Sequence, residues 1–419
     1  MRTIELKRVV ITGVGALTPI GNDAASFGRA LLAGFSGAAP ITYFDAAKFK
    51  TRFACEVKGF DPLAFFDRRE AQKYDPFTQY ALVAADEAIR HAGLDFDQLD
   101  RRRSGVIWGS GVGGLLTLQN QIAEFAQGDG TPRFNPFFIS KMIVDIAAGV
   151  ISIKHGLRGL NYATVSACAT STTALIDAFN YIRLGKASVL ISGGSEASIN
   201  ATAVGGFNAS RALSTRNDDP AAASRPFDTG RDGFVLGEGA GALIVEEYEH
   251  ALRRGAPILA EIVGGGMAAD AYHLTGTHPE GEGAYLSMLA ALDDAGLHAA
   301  QIDYLNAHAT STGLGDASEL RAVARVFGPA PQLHISATKS MTGHLLGAAG
   351  AIEAIACVQA VQQDIVPPTI NTTEPDPEIT GGFQLTLGQP AYRPIEYAMS
   401  NSFGFGGHTA TLIVKKYSA

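Results

Sequence analysis

The chain has 419 residues, of which 46% are apolar and 18% charged, and a net charge of −8; this excludes a disordered chain and gives no support to nucleic-acid binding as the main role. Cys55, Cys168 and Cys357 are an odd number of cysteines without metal-ligand spacing. Neither a disulfide framework nor a zinc site is expected, and a reducing compartment is. The first residues carry no apolar signal core and no apolar stretch reaches membrane-spanning length, so no membrane insertion and a cytoplasmic location are expected.

The first predicted element is a short apolar strand over 9–15, running into a glycine turn at Gly13-Val14-Gly15. Thr18 stands where a dinucleotide fingerprint needs its third glycine, which argues against a nicotinamide site. Residues 77–92 have helical periodicity and stop before Gly93. A second strand begins at Ser104 and enters the Gly-rich turn Gly109-Ser110-Gly111, and 139–149 reads as one helix. Further strands are expected over 189–194 and 240–246, with a helix over 247–254.

From Ala256 the pattern restarts. A strand over 258–263 runs into Gly264-Gly265-Gly266, a helix covers 283–295, and a strand over 302–307 ends at His308. A strand over 334–337 and a long helix over 347–363 follow, then a proline-rich loop and a closing strand over 409–415. Apolar strands alternating with helices imply an α/β protein with buried sheets, built as two similar halves, 1–255 and 256–419.

Cys168 is the most informative residue. It lies in Val165-Ser166-Ala167-Cys168-Ala169-Thr170-Ser171, between a β-like run and a helix expected over 172–184. A thiol at a helix start meets free N–H groups and partial positive charge, which favour thiolate and can hold an oxyanion. That suits acyl transfer to sulfur. A lone cysteine is nevertheless more often a buried apolar residue, so the remaining polar clusters decide.

Three such clusters occur in the second half: Asn306-Ala307-His308-Ala309-Thr310-Ser311-Thr312, Lys339-Ser340-Met341-Thr342-Gly343-His344 opening the helix that carries Glu353, and Asn401-Ser402-Phe403-Gly404-Phe405-Gly406-Gly407-His408. With Cys168 they resemble the β-ketoacyl-acyl carrier protein synthases, the decarboxylating condensing enzymes of the thiolase superfamily. The resemblance runs from Val9 to Val414 and includes Phe227-Asp228-Thr229-Gly230-Arg231-Asp232-Gly233-Phe234 and Gly237-Glu238-Gly239-Ala240-Gly241. Two histidines separate it from Cys-His-Asn initiating synthases and from thiolases. Tyr272-His273-Leu274-Thr275 looks like the type II elongating branch.

The resemblance implies a layered αβαβα fold and a 3-oxoacyl product. Cys168 would carry the acyl group, with the backbone N–H groups of Cys168 and Phe405 as oxyanion hole. His308 and His344 would stabilise the enolate formed when a malonyl thioester loses CO₂. Lys339 would act electrostatically, paired with Glu353 or with Asp316 and Glu319. Phe405 resembles a gating aromatic, and Thr310, Thr312 and Thr275 would meet the carrier's phosphopantetheine arm. Val112, Phe137 and Phe138 match acyl-pocket and dimer-interface positions. Arg69, Lys73, Arg133 and Arg211 match docking positions for acyl carrier protein, although Gln72 replaces a basic residue there. Ile139-Ser140-Lys141-Met142 departs from the family's commoner Val-Pro-Ser-Thr. A homodimer without redox cofactor is implied, as is a possible structural monovalent cation near Asn306, Ala307, Glu353, Ser400 and Asn401. A ketosynthase of a type II polyketide or aryl-polyene pathway is the alternative. A non-catalytic chain-length subunit is disfavoured because the nucleophile is present.

Overall fold

A computed structural model describes residues 5–379 and 382–418; the first residues of the expected leader-free start, Met1 to Ile4, lie outside them. The main sheet has eleven strands among the described residues. In chain order they are β1 (Val9–Leu17), β2 (Ser104–Gly109), β3 (Asn161–Thr164), β4 (Val189–Glu196), β5 (Gly239–Glu247), β6 (Ala260–Ala269), β7 (Tyr304–Asn306), β8 (His334–Ser336), β9 (Gln384–Leu385), β10 (Tyr397–Gly404) and β11 (His408–Lys416).

The topology is a repeat. Outward from the middle, one side runs β1-β5-β4-β2-β3 and the other β6-β11-β10-β7-β8, with β9 added at the edge. Both sides use the same chain order and the same directions: two antiparallel pairings, then two parallel ones. They join where β1 meets β6, through Val9↔Ile262, Val10↔Glu261 and Ile11↔Ala260.

Helices cover both faces of each half-sheet, which is why the strands read as apolar runs. The helices Thr170–Arg183 and Ala349–Gln363 lie in the middle and bury Leu175, Ile176, Ile352 and Ile355. Pro76–Ala92 and Ile146–His155 cover one outer face, and Glu282–Ala295 and Gly313–Phe327 the other. One apolar core between the half-sheets and one on the outer face of each make five layers, αβαβα. Each fully buried Leu or Ile contributes about 1.5–3 kcal/mol.

Several expectations need correction. β1 does not turn at its glycines but continues to Leu17, because a Cβ on Gly13 or Gly15 would collide with the carbonyls of Ala88 or Ala84 in the covering helix. β6 repeats the device: Gly264 and Gly266 stay in the strand and admit the carbonyls of Ala291 and Ser287. These glycines mark close helix-on-strand approach, not turns. The single helix expected over 139–149 is two, Phe138–Met142 and Ile146–His155, broken where Ile143 adopts extended backbone (ψ 141°). Lys339 does not open the Glu353 helix. It begins a separate turn, Lys339–Thr342, which stops at Gly343 with φ 67°, a conformation that favours glycine.

Candidate active site

β3 ends at Thr164, and the chain turns through Ala167–Ala169 before entering the helix Thr170–Arg183, two residues earlier than the periodicity suggests. Ala167 has φ 51°, a strained value for a residue with a Cβ. The turn is held by the Ser166 N–H, which donates to Thr170 Oγ1 at 2.9 Å. Cys168 therefore sits on a tight strand-turn-helix bend.

The closing loop packs directly against it. A Cβ on Gly404 would lie 2.6 Å from Ser166 O and 2.9 Å from the Cys168 nitrogen. Only glycine lets the backbone approach this closely, and the approach directs the Phe405 N–H to the Cys168 sulfur. Phe405 is half-buried and packs on Phe207 with ring centroids 6.5 Å apart. Its neighbours Gly406 and Gly407 have φ of 88° and 77°. The loop is tied back, since Gly406 N–H donates to Leu274 O at 2.7 Å and Asp270 N–H to Gly407 O at 2.8 Å.

Cys168, His308, His344 and Phe405 line one cavity of about 250 Å³. The imidazoles of His308 and His344 lie edge to face, 5.3 Å between centroids and 87° between planes. Each arrives from a different device. Glu319 accepts the N–H groups of His308 and Ala309 at 2.9 and 2.8 Å, and the Asn401 side chain at 3.0 Å, which fixes the His308 backbone. His344 is held as an added strand: its N–H donates to Val235 O at 2.8 Å and its carbonyl accepts from Gly237 N–H at 2.9 Å.

Lys339 is buried and pairs with Glu353. The two central helices bring Glu353 to the site, because Gly350 admits the Thr172 hydroxyl and Ser171 Oγ accepts the Ala351 N–H at 2.9 Å; Lys339 reaches it from the separate turn Lys339–Thr342. Of the alternatives for Lys339, Glu353 is the partner. Asp316 faces Arg231 instead, at 3.8 Å, and accepts the N–H groups of Phe227, Ser311 and Thr312.

Burial and the nearby Lys339 charge hold both imidazoles well below the usual histidine range, so each is neutral near pH 7. Burial pushes Glu353 up to about 7 against the opposing pull of Lys339, pushes Asp316 to about 7, and raises Glu319. The expected resting thiolate is not supported: burial pushes the Cys168 thiol up to about 12, with Lys339 opposing and Glu196 adding. The Lys339 charge and the Phe405 N–H of the closing loop favour the thiolate, but burial outweighs them.

Thr310, Thr312 and Thr275 line the cavity, with the first two hydroxyls 3.2 Å apart. Val112, Phe137 and Phe138 do not. Val112 and Phe137 are 38% and 41% exposed, although the short helix Phe138–Met142 packs on the turn after Val112, where the Gly114 N–H donates to Met142 O at 3.0 Å. Arg69, Lys73, Arg133 and Arg211 are exposed. Arg133 reaches Asp129 at 3.6 Å.

Behind the Lys339–Glu353 pair, Asn306 Oδ1, Glu353 Oε2 and Ser400 Oγ are buried without partners. Asn306 and Ser400 are register neighbours on β7 and β10. Unpaired buried oxygens of this kind fit a hard cation. The Asn401 side chain is already committed to Glu319 and Thr411. Among the described residues no group of three His, Cys, Asp or Glu could hold a metal ion.

Residues 6–251 match the family model described as beta-ketoacyl synthase, N-terminal domain, and residues 259–373 match beta-ketoacyl synthase, C-terminal domain. The chain belongs to the beta-ketoacyl synthase family. It is 47% identical over 418 residues to a Synechocystis protein named 3-oxoacyl-[acyl-carrier-protein] synthase 2, covering 100% of both chains. It is 49% identical over 415 residues to the protein of that name from Staphylococcus aureus strain COL, covering 99% of each. Among solved structures, a beta-ketoacyl synthase from Burkholderia phymatum matches with TM-score 0.91 and 37% identity, covering 98% of this chain and 100% of that one. A type II polyketide ketosynthase in complex with its acyl-carrier protein (AntDE:AntF) matches with TM-score 0.88 and 31% identity, covering 99% and 100%.

Sequence reasoning did not find Glu196, which hydrogen-bonds turns beside Cys168, or Asp270, Phe207 and Phe234 in the cavity wall. Glu196 carried one signal, a carboxylate ending the otherwise uncharged strand β4.

Proposed function

We propose that the protein catalyses the decarboxylating condensation of an acyl thioester with malonyl-acyl carrier protein, giving a 3-oxoacyl-acyl carrier protein in fatty acid elongation. The observation that carries this is a single cavity shared by Cys168, His308, His344 and the Phe405 loop. The 47–49% full-length likeness to curated elongating synthases favours this pathway over the polyketide alternative.

Cys168 attacks the acyl thioester carbonyl. The developing oxyanion lies against the N–H groups of Cys168 and Phe405, and the thiol proton leaves with the departing pantetheine sulfur. The malonyl thioester then enters beside His308 and His344. Loss of CO₂ leaves an enolate, whose oxygen accepts hydrogen bonds from two neutral imidazoles. Neutral rings donate without first giving up a charge, and with each Nδ1 sealed in protein, Nε2 is the donor. The enolate carbon attacks the acyl-Cys168 carbonyl, the C–S bond breaks, and the thiolate that leaves takes a proton from water. Lys339, tethered by Glu353, holds positive potential near the decarboxylating group.

Phosphopantetheine arrives on the carrier, along Thr310, Thr312 and Thr275, and no redox cofactor takes part. Arg69, Lys73, Arg133 and Arg211 offer positive charge to an acidic carrier surface. The exposed Val112, Phe137 and Ile139 are the face of a homodimer, where the partner copy closes the acyl pocket. A monovalent cation bound by Asn306, Glu353 and Ser400, with the Ala307 backbone alongside, would stiffen the floor beneath Lys339. The protein acts in the cytoplasm; no described helix is long and apolar enough to cross a membrane.

The test mixes the protein with acyl- and malonyl-carrier thioesters and follows CO₂ and 3-oxoacyl product. Cys168→Ala should abolish condensation. No product from the unaltered protein under reducing conditions would overturn this reading.

A further inference from the structure

Glu196 is a buried carboxylate that none of these steps uses. It ends β4, it is fully buried, and among the described residues no cation pairs with it. Five donors converge on it. Gly111 and Gly347 N–H groups bond Oε2 at 2.8 and 3.0 Å, and Ser110 Oγ, the Val112 N–H and Ser198 Oγ bond Oε1 at 3.0, 3.2 and 3.4 Å. Ser110 Oγ in turn accepts the Gly113 N–H at 3.0 Å, so the whole turn 110–113 is organised from one side chain. So many donors favour the ionised form, although burial raises this group's pKa.

The two turns it joins flank the nucleophile. A Cβ on Gly111 would lie 2.9 Å from Glu196 Oε2 and 3.5 Å from the carbonyl of Ala167, the strained residue before Cys168. Leu346, in the turn Leu346–Ala348, lines the Cys168 cavity and has φ 48°, itself strained. The decarboxylation side is anchored elsewhere, His308 through Glu319 and His344 through Val235 and Gly237.

We propose that Glu196 is a positioning residue of the acyl-transfer half-reaction: it locks the turn after β2 to the turn before the Glu353 helix and so fixes the bend on which Cys168 reacts. The role rests on the condensation described above. Burial keeps the proton on Cys168 at rest, and the nearby Glu196 carboxylate adds to it. As the sulfur–carbonyl bond forms and the thioester C–S bond breaks, that proton passes to the departing pantetheine thiolate, so no outside acid or base is consumed.

Glu196→Gln in the full chain separates this from a merely structural role. Gln keeps the size, removes the charge and cannot accept from both sets of donors. Three readouts are compared with the unaltered protein: acyl loading of Cys168 by intact mass, decarboxylation of a malonyl thioester, and the pH dependence of Cys168 alkylation by iodoacetamide. Loading should fall about tenfold, roughly one lost charged hydrogen bond. The alkylation midpoint should drop, and decarboxylation should stay within about twofold. Parallel loss of both half-reactions, or an unmoved alkylation midpoint, would overturn the proposal. Should this variant not fold, Ser110→Ala removes one donor and keeps the charge. It should slow loading about fivefold with the midpoint unmoved, and unchanged loading would refute the role. If the unaltered protein neither loads nor decarboxylates, the condensation reading fails instead.

Discussion

Gly404→Ala tests the close approach that builds the oxyanion site. The added Cβ would meet Ser166 O at 2.6 Å, the Cys168 nitrogen at 2.9 Å and the Ala167 Cβ at 3.1 Å. All three are backbone or Cβ atoms, so no flexible side chain can give way. The closing loop must move, and it carries the Phe405 N–H away from the sulfur. Gly404 does not have positive φ, so the change adds no backbone strain of its own. Losing one oxyanion donor costs about 2.7–4 kcal/mol of barrier, or two to three powers of ten in rate; overpacking removes a further 1–3 kcal/mol or so of stability. Rapid-quench acyl loading, followed by intact mass and normalised to folded protein, reads the first term. Gly13→Ala is the control, because its Cβ would collide with the Ala88 carbonyl far from the cavity. It should lower the melting temperature while folded molecules load at the unaltered rate. Loading by Gly404→Ala at the unaltered rate would refute the oxyanion assignment.

His308→Ala and His344→Ala should each cut malonyl decarboxylation about 100-fold or more while acyl loading changes far less; the reverse pattern in a stopped-flow comparison would reassign the histidines. Lys339→Ala strands Glu353 as an unpaired buried carboxylate and should cost about 3–5 kcal/mol in urea unfolding, whereas Lys339→Met with Glu353→Leu should recover most of the stability and none of the activity. The two imidazoles also set an acid limb of stability. Their folded pKa values lie below the unfolded value of 6.5, so the unfolded chain binds more protons and stability falls as pH drops below it. Each histidine contributes at most about 1.4 kcal/mol per pH unit, and His308→Asn with His344→Asn should flatten that limb between pH 7 and 5.5.

Cys168, His308, His344 and Lys339 were legible as a group because each sits in its own short run of small residues at an element end. Their partners were less so. Glu353 is fourteen positions from Lys339 across a helix break, a spacing that does not by itself bring two side chains together. Glu196 was silent because four of its five donors come from residues 110–112 and 347, which share nothing in sequence. Gly13 and Gly264 read as turns because period and composition do not reveal a helix crossing overhead. Ile143 broke a helix that periodicity alone would continue. The burial that raises the Cys168 thiol is a property of the packed interior, invisible in a helix-start motif.

The pairing of β1 with β6 has a consequence for how the protein fails. The thiol belongs to one half and both imidazoles to the other, and the strand contact between the halves is three residue pairs long. A slip of one position there would turn the facing side chains over and break the core the halves share, where Leu175 and Ile176 pack in one cluster with Ile352 and Ile355. Competence therefore resides in an alignment and not in either folded unit. On gentle heating, condensation and the far-ultraviolet circular dichroism should therefore be lost together, because the alignment and the shared core are one structure.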